Sequence, residues 1–123
     1  MATVLVVDDD DATRSLVRIV LESAGHRVAE ASAAAEALAR AAEERPALIL
    51  LDLSLRGTSG AELLRRLRSN EATRATRVAL YTATPMSPAL RDFMTIYGVS
   101  DAVAKPCEPL ELIESVARAL EHA

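Results

Sequence analysis

Short apolar runs alternate five times with apolar residues at helical spacing, and this alternation constrains the fold more than any other feature. Nearly continuous apolar runs of four to seven residues indicate strands of a parallel sheet that is covered on both faces. The predicted strands are residues 3–7, 27–31, 47–53, 77–81 and 101–104, the second being the weakest. A strand followed by a helix, repeated five times, predicts one α/β domain, a (βα)5 unit with a doubly wound parallel sheet.

The predicted helices carry recognisable signals at their ends. Gly25 follows the first helical pattern, where a C-terminal cap glycine belongs. Ser59 and Glu62 fit a capping box at the start of the third helix. The Ser-Pro dipeptide at 87–88 supplies an N-cap and a first-turn proline for the fourth helix, and Pro109 opens the fifth. These signals bound the helices independently of the apolar pattern.

Length and composition limit the classes of protein to which the chain can belong. The 123 residues suit one ordinary domain, and its core must be aliphatic because Trp is absent and Phe93 is the only phenylalanine. Cys107 is the only cysteine, which excludes an internal disulfide, and we interpret it as a packing residue. No apolar run is long enough for a membrane span and no signal peptide is recognisable, so a cytoplasmic location is expected. The net charge of −4 argues against direct binding to nucleic acid.

The basic residues are distributed unequally between the two types. The chain has thirteen arginines and a single lysine, Lys105. Lysine differs from arginine where a compact point charge is required in place of a planar fork. Lys105 is therefore a candidate functional residue before any motif is considered.

Polar and charged residues follow four of the five predicted strands. Asp8 and Asp9 come directly after the first strand, Asp52 lies at the end of the third, Thr82 at the end of the fourth and Lys105 just after the fifth. Ligands of open α/β sheets bind outside the carboxyl ends of the strands. We therefore expect these five residues to converge at one edge of the sheet.

The residue types of this set match the chemistry of phosphoryl transfer. Clustered carboxylates repel one another unless a cation or protons neutralise them. Oxygen ligands without His or Cys favour Mg²⁺, which binds one or two carboxylates, waters and a substrate phosphate. A carboxylate beside that ion, here Asp52, can attack phosphorus and form an acyl phosphate, while Lys105 neutralises charge and Thr82 donates a hydrogen bond.

Ordinary structural interpretations compete for each residue taken singly. A run of four aspartates ahead of a helix often only caps it and offsets its dipole, and we assign that role to Asp10 or Asp11. Asp52 alone fits a turn, and Lys105 alone fits the surface. Together, at the ends of four strands and in this order, the residues favour a functional site.

At this point the chain resembles the response regulator receiver family over essentially its whole length, residues 1–123. The matching segments are 6–10 (VVDDD), 50–53 (LLDL), 81–83 (YTA) and 105–106 (KP), and Gly60 falls eight residues after Asp52. The resemblance implies the flavodoxin-like strand order 2-1-3-4-5. It also implies a cis peptide bond between Lys105 and Pro106.

The resemblance implies a function in two-component signalling, or a phosphorelay, for a domain that is not itself an enzyme. Asp52 would accept a phosphoryl group from a sensor histidine kinase or a phosphotransfer protein. Asp9, Asp52 and the backbone carbonyl of Ser54 would bind Mg²⁺, with Asp8 assisting through water. The identity of the kinase and of the output partner cannot be read from the sequence.

The resemblance also implies how the signal leaves the site. Lys105 would pair with the phosphoryl oxygens, and Thr82 would shift to contact them. The surface formed by the fourth helix, the fifth strand and the last helix, including residues 91–97, would then change and meet an output partner, or a second copy in a phosphorylation-dependent dimer. No membrane partner is implied.

Three departures from the family pattern bear on this mechanism. Ala102 stands where an aromatic residue is frequent, so the usual relay from the threonine to an aromatic side chain is in doubt. Arg56, followed by Gly57, stands where proline is common. Ser54 and Ala83 are small, which predicts water access and a phosphorylated state that is not long-lived.

Two alternatives remain open at this stage. The first is a phosphatase of the haloacid dehalogenase type, because Asp9, Asp11 and Thr13 match the pattern D-x-D-x-T. Against it, Arg14 stands where an apolar residue should follow, and no late acidic pair is present. The second is a receiver-like module that binds a partner without being phosphorylated.

Overall fold

The computed structural model describes residues 2–121, which form five strands and five helices in strict alternation. In chain order these elements are β1 (Thr3–Val7), α1 (Asp11–Ser23), β2 (Arg27–Ala31), α2 (Ala34–Glu44), β3 (Leu48–Leu51), α3 (Gly60–Ser69), β4 (Val78–Thr82), α4 (Pro88–Ile96), β5 (Asp101–Ala104) and α5 (Pro109–Glu121). The strands form one parallel sheet in the order β2-β1-β3-β4-β5. The predicted α/β class and the 2-1-3-4-5 order are both confirmed.

Each face of the sheet is covered by its own apolar cluster. Side chains alternate between faces along a strand, so Leu5 and Val7 of β1 join the cluster beneath α2, α3 and α4, whereas Val4 and Val6 join the cluster beneath α1 and α5. The largest fully buried side chains are aliphatic, as the composition requires. Cys107 packs against the second cluster.

Two predicted strands have different bounds in the structure. The third strand is predicted over 47–53, but it comprises only Leu48–Leu51. Leu53 lies in the following loop, and it is apolar because it packs against the first cluster from there. The fourth is predicted over 77–81 but comprises Val78–Thr82, so Thr82 is a strand residue. Helix α1 begins at Asp11, with Asp10 as its N-cap.

The other end signals hold, with one exception. Gly25 adopts a φ of +91°, which fits the turn after α1. Ser87 caps α4 by accepting a hydrogen bond from the Leu90 N–H at 3.1 Å. Ser59 likewise accepts from the Glu62 N–H at 3.1 Å, but the Glu62 carboxylate pairs with two arginines of α3, so only half of the predicted capping box forms.

Two further findings concern the expected cis peptide bond and the expected absence of a membrane span. The peptide bond between Lys105 and Pro106 is cis, as the resemblance implies. Within residues 2–121, no helix is both long enough and apolar enough to traverse a bilayer.

Candidate functional site

Asp8, Asp52 and Lys105 meet at the carboxyl edge of the sheet, directly after β1, β3 and β5. The Lys105 Nζ donates hydrogen bonds to Asp8 Oδ2 at 2.6 Å and to Asp52 Oδ2 at 2.9 Å. Asp8 is 2% exposed and Asp52 is 6% exposed. One ammonium group therefore compensates two carboxylates that have been removed from water, which would otherwise be costly.

Two influences act on the pKa of Lys105 in opposite directions. Burial alone would lower the pKa of the ammonium, but the hydrogen bonds to Asp52 and Asp8 outweigh it and raise that pKa above its ordinary value. Lys105 is therefore a cation throughout the physiological pH range. A fixed positive charge consequently stands beside the Asp52 carboxylate.

Asp9 lies at the same edge and is held by the loop that follows β3. Its Oδ2 accepts a hydrogen bond from the Arg56 backbone N–H at 2.9 Å and lies 3.6 Å from Arg56 Nε. Ser54 contributes its backbone N–H, which donates to Asp52 Oδ1 at 3.0 Å. Proline has no N–H, so the backbone bond to Asp9 requires a residue other than proline at position 56.

Hydrogen bonds also fix the loop between β1 and α1. Asp8 Oδ1 accepts from the Asp10 N–H at 2.8 Å, and Asp10 in turn caps α1. The Arg14 guanidinium donates to the Asp8 carbonyl at 2.6 Å and to Glu30 Oε1 at 2.9 Å. This contact of Arg14 was not predicted from the sequence. The sequence feature that could have indicated this contact is an arginine near the start of a helix. The helix dipole favours acidic residues there, so a basic residue suggests a specific partner.

Thr82 lies at the same edge, but its hydroxyl is hydrogen-bonded to the loop that follows β4. Thr82 Oγ1 donates to Thr84 Oγ1 at 3.0 Å and accepts from the Thr84 N–H at 3.1 Å. No hydrogen bond joins Thr82 to Asp52 in the described part of the chain. A mainly apolar cavity of about 140 Å³ adjoins the two threonines, and Ala102 forms part of its wall.

Gly60 is required by the close approach of α3 to the backbone of Asp52. Its N–H donates to the Leu53 carbonyl at 2.9 Å. A Cβ at position 60 would lie 2.5 Å from the Asp52 carbonyl oxygen and 2.5 Å from Leu53 Cα. The spacing of eight residues between Asp52 and Gly60 thus has a steric reason.

Tyr81 is a further neighbour of the site, and its contact was not predicted from the sequence. Its ring centroid lies 5.2 Å from Lys105 Nζ. Burial raises the pKa of the Tyr81 phenol, and the neighbouring Cys107 thiol raises it further. The sequence feature that could have indicated this contact is the aromatic residue directly before Thr82. Successive residues of β4 point to opposite faces of the sheet, so Tyr81 and Thr82 lie on different faces.

The carboxylates of the site suit Mg²⁺ in chemical type, because they are the oxygen donors that this ion prefers. In the described residues, however, no three acidic, His or Cys side chains are gathered as a preformed metal cage. The Lys105 ammonium lies between Asp8 and Asp52, and Asp9 is engaged by Arg56. An ion bound here would therefore displace some of these contacts.

The residues of the alternative phosphatase motif do not gather around Asp9. Asp11 is in the first turn of α1, its side chain is 87% exposed, and it pairs with Arg14 at 2.6 Å. Thr13 donates its hydroxyl proton to Asp10 Oδ2 at 2.6 Å. These positions favour helix capping over catalysis for the second half of that motif.

Comparisons with known proteins identify the family of the chain. A sequence profile of the response regulator receiver domain matches residues 4–117. The phosphate regulon transcriptional regulatory protein PhoB of Pseudomonas aeruginosa is 37% identical over 111 residues, which is 90% of this chain and 48% of that protein. An uncharacterised 14.6 kDa protein of Leptolyngbya boryana is 38% identical over 117 residues, which is 92% of this chain and 86% of that protein.

Solved structures show the same fold. The chemotaxis protein CheY4 of Vibrio cholerae superposes with a TM-score of 0.89 at 29% identity, covering 97% of this chain and 98% of that one. A response regulator of Chloroflexus aurantiacus superposes with a TM-score of 0.87 at 31% identity, covering 98% of both chains. The chain spans about half the length of several of the curated relatives it matches.

Proposed function

This chain belongs to the response regulator receiver family, the signalling domains of two-component systems, and we propose that it is a phosphoacceptor switch in which Asp52 receives the phosphoryl group. The observation that carries this proposal is the placement of Asp52 at the carboxyl edge of the sheet, 2.9 Å from the only lysine of the chain. The donor of the phosphoryl group would be the phosphohistidine of a sensor histidine kinase or of a phosphotransfer protein.

The chemistry of the transfer is simple for the protein. An oxygen of the Asp52 carboxylate attacks phosphorus and forms a P–O bond, while the P–N bond to the donor imidazole breaks. The leaving nitrogen keeps the electron pair of that bond, and the imidazole, already protonated on its other nitrogen, departs as a neutral ring. Because little covalent chemistry is required, the contribution of the protein is positioning and charge neutralisation.

Two cations would neutralise the oxygens of the transferring group. Lys105 already stands beside Asp52 and would exchange its carboxylate hydrogen bonds for bonds to phosphoryl oxygens. Asp9, Asp52 and the Ser54 carbonyl would hold Mg²⁺, with Asp8 acting through water. When bound, this ion supplies further charge neutralisation at the phosphoryl oxygens.

The output of the switch would arise from Thr82. In the structure its hydroxyl is bonded to Thr84, so contact with a phosphoryl group on Asp52 requires that bond to be exchanged. The phosphoryl group adds nearly two negative charges, which favour this exchange. Helix α4, strand β5 and helix α5 would repack, and their surface would meet an output domain, a separate protein or a second copy of the chain.

Intact-protein mass spectrometry after incubation with acetyl phosphate tests the proposal. Wild type, Asp52→Asn and the control Asp92→Asn, which replaces an exposed aspartate of α4, are compared with and without Mg²⁺. We expect one phosphoryl adduct that requires both Asp52 and Mg²⁺ and that forms normally on the Asp92 variant. No adduct under any condition would favour a module that binds its partner without phosphorylation.

A second experiment tests the output step separately from phosphorylation. Thr82→Ala should still form the adduct, because Thr82 makes no bond to Asp52 in the structure. Its phosphorylation should no longer shift the amide resonances of residues 85–105, whereas Thr82→Ser, which retains the hydroxyl, should preserve these shifts. Equal shifts in wild type and Thr82→Ala would contradict this role.

A further inference from the structure

The ring of Tyr81 and the ammonium of Lys105 form a cation–π contact inside the site. The ring centroid lies 5.2 Å from Lys105 Nζ, within the distance at which a ring quadrupole attracts a cation. The ammonium has three N–H donors, and it directs two hydrogen bonds at Asp8 and Asp52. The contact with Tyr81 is therefore additional to both ion pairs.

The ring is held in place by its strand, whereas the lysine side chain is held at its charged end by two hydrogen bonds. Tyr81 is 9% exposed, lies in the interior strand β4 and pairs with Val103 of β5, so the strand fixes its position. It belongs to the apolar cluster beneath α1 and α5, against which Cys107 also packs. Lys105, by contrast, has a flexible four-carbon side chain that follows the end of β5. A ring fixed beside this side chain restricts the positions that the ammonium can take when its hydrogen bonds change.

The contact also differs from the ion pairs in how it would behave during phosphoryl transfer. To bind phosphoryl oxygens, the ammonium of Lys105 must exchange at least one hydrogen bond to Asp8 or Asp52. Attraction to a ring face does not depend on a particular donor direction, so it can persist while those bonds are exchanged. The ring would then keep the charge close to Asp52 when its hydrogen bonds change.

We propose that Tyr81 is a positioning residue for Lys105, holding the ammonium at the place where the phosphoryl oxygens arrive. This inference rests on the proposed phosphoacceptor function. In this role Tyr81 acts only through Lys105. The effect depends on the aromatic face. Phenylalanine at position 81 should therefore retain the positioning of Lys105, and an aliphatic residue should not.

Because the chain has one lysine, the contact can be observed directly. Lysine labelled with ¹³C gives resonances from Lys105 alone. In wild type and Tyr81→Phe we expect the terminal methylene protons to be shifted upfield by the ring. In Tyr81→Leu and Tyr81→Met they should return to the range of an unstructured lysine. Identical lysine shifts in all four proteins would overturn the proposal.

The rate of phosphorylation by acetyl phosphate in Mg²⁺ then tests the consequence. We expect Tyr81→Leu and Tyr81→Met to be slower than wild type by roughly three- to ten-fold, and Tyr81→Phe to remain within about two-fold. The affinity for Mg²⁺, followed by amide shifts, should change little, which a general disruption of the site would not allow. Wild-type rates in both ring-less variants, or an equally slow Tyr81→Phe, would refute the positioning role.

The two proposals fail in distinguishable ways. If wild type forms no adduct, the phosphoacceptor function fails, although the lysine resonances still report whether the ring holds the cation. If wild type is phosphorylated on Asp52 but the rate ignores the ring, only the role of Tyr81 fails. Two ring-less variants are used so that a folding defect confined to one, detected by urea unfolding, does not decide the result.

Discussion

Lys105 Nζ lies 2.9 Å from Asp52 Oδ2, although the two residues are 53 positions apart in the sequence. The lysine side chain is 18% exposed and that of Asp52 is 8% exposed, so little water separates or screens the pair. Asp8 shares the same ammonium and is buried still further. The structure thus contains two buried carboxylates whose single close lysine partner is also the candidate ligand for an incoming phosphoryl group.

We predict that Lys105→Met destabilises the protein in the absence of Mg²⁺. Removing the ammonium leaves Asp8 and Asp52 buried without their cation, and the loss of one partner from a buried ion pair is strongly destabilising. The free energy of unfolding should fall by about 2 to 4 kcal/mol, measured by urea denaturation. Added Mg²⁺ should restore part of this loss and so stabilise the variant more than wild type.

A double substitution provides the control for this prediction. Asp8→Asn removes one of the two carboxylates, so Lys105→Met should cost less in that background than in wild type. The difference between the two costs is the coupling energy of the pair. An equal cost in both backgrounds would show that the pair of Asp8 and Lys105 does not contribute to the destabilisation.

We predict that Gly60→Ala damages both stability and the site. The new methyl group would lie 2.5 Å from the Asp52 carbonyl oxygen, so α3 or the loop after β3 must move. The cost should be about 1 to 3 kcal/mol, as for other overpacked positions. Phosphorylation of Asp52 should slow at the same time, because its backbone is displaced.

Gly98→Ala is the matched control for the glycine prediction. Gly98 has a φ of +68° but open space around it, so alanine there is strained without contacting the site. It should cost about 1 to 2 kcal/mol and leave the phosphorylation rate of the folded protein unchanged. If Gly60→Ala behaved in the same way, the steric argument about Asp52 would be wrong.

The positions of the candidate site residues were predictable because they depend on topology. Asp8, Asp9, Asp52, Thr82 and Lys105 each follow or end a strand, and parallel strands bring such residues to one edge. The hydrogen-bond partners were not predictable, because they depend on side-chain reach. Arg14 contacts the Asp8 carbonyl, and Arg56 contacts Asp9. Both contacts depend on the paths of the loops, which the apolar pattern does not encode.

The strand boundaries show the same limit at the level of the fold. Leu53 and Leu55 extend the apolar character beyond Leu51, yet they pack against the core from a loop and do not continue the sheet. Apolarity reports burial rather than hydrogen bonding, so a buried loop resembles a strand. Asp52 accordingly lies one residue beyond β3, which frees its side chain for the site.

We predict that Glu30 stabilises the protein only above mildly acidic pH. A hydrogen bond from Arg18 lowers the pKa of Glu30 below its ordinary value of 4.5, burial opposes this, and Arg14 lowers the pKa further. A lowered folded pKa means that the contribution is present above about pH 4.5 and is lost as the pH falls through the folded pKa. Because the carboxylate is partly solvent-screened, Glu30→Gln should cost only about 0.5 to 1 kcal/mol at pH 7.

Urea unfolding at several pH values checks the sign of this effect. The stability difference between wild type and Glu30→Gln should shrink as the pH falls from 5 to about 3, and it should also shrink in high salt. Glu22→Gln, which removes only an exposed pair with Arg18 on α1, should cost less at pH 7. A difference that grew on acidification would contradict the assignment.

We predict that Arg56→Ala strengthens the binding of Mg²⁺. The Arg56 side chain is 90% exposed, and its Nε lies 3.6 Å from Asp9 Oδ2, an oxygen of a candidate metal ligand. Removing this positive charge abolishes a competitor for Asp9 and reduces repulsion of the ion. Since exposed pairs are worth at most about 1 kcal/mol, the affinity should rise by roughly two- to five-fold. A titration followed by amide shifts measures the affinity, and the gain should diminish in high salt.

Arg27→Ala is the matched control. It removes an exposed positive charge at the amino end of β2, away from the site, and should leave the affinity for Mg²⁺ unchanged. Weaker binding by Arg56→Ala would show instead that Arg56 helps to present Asp9 to the ion.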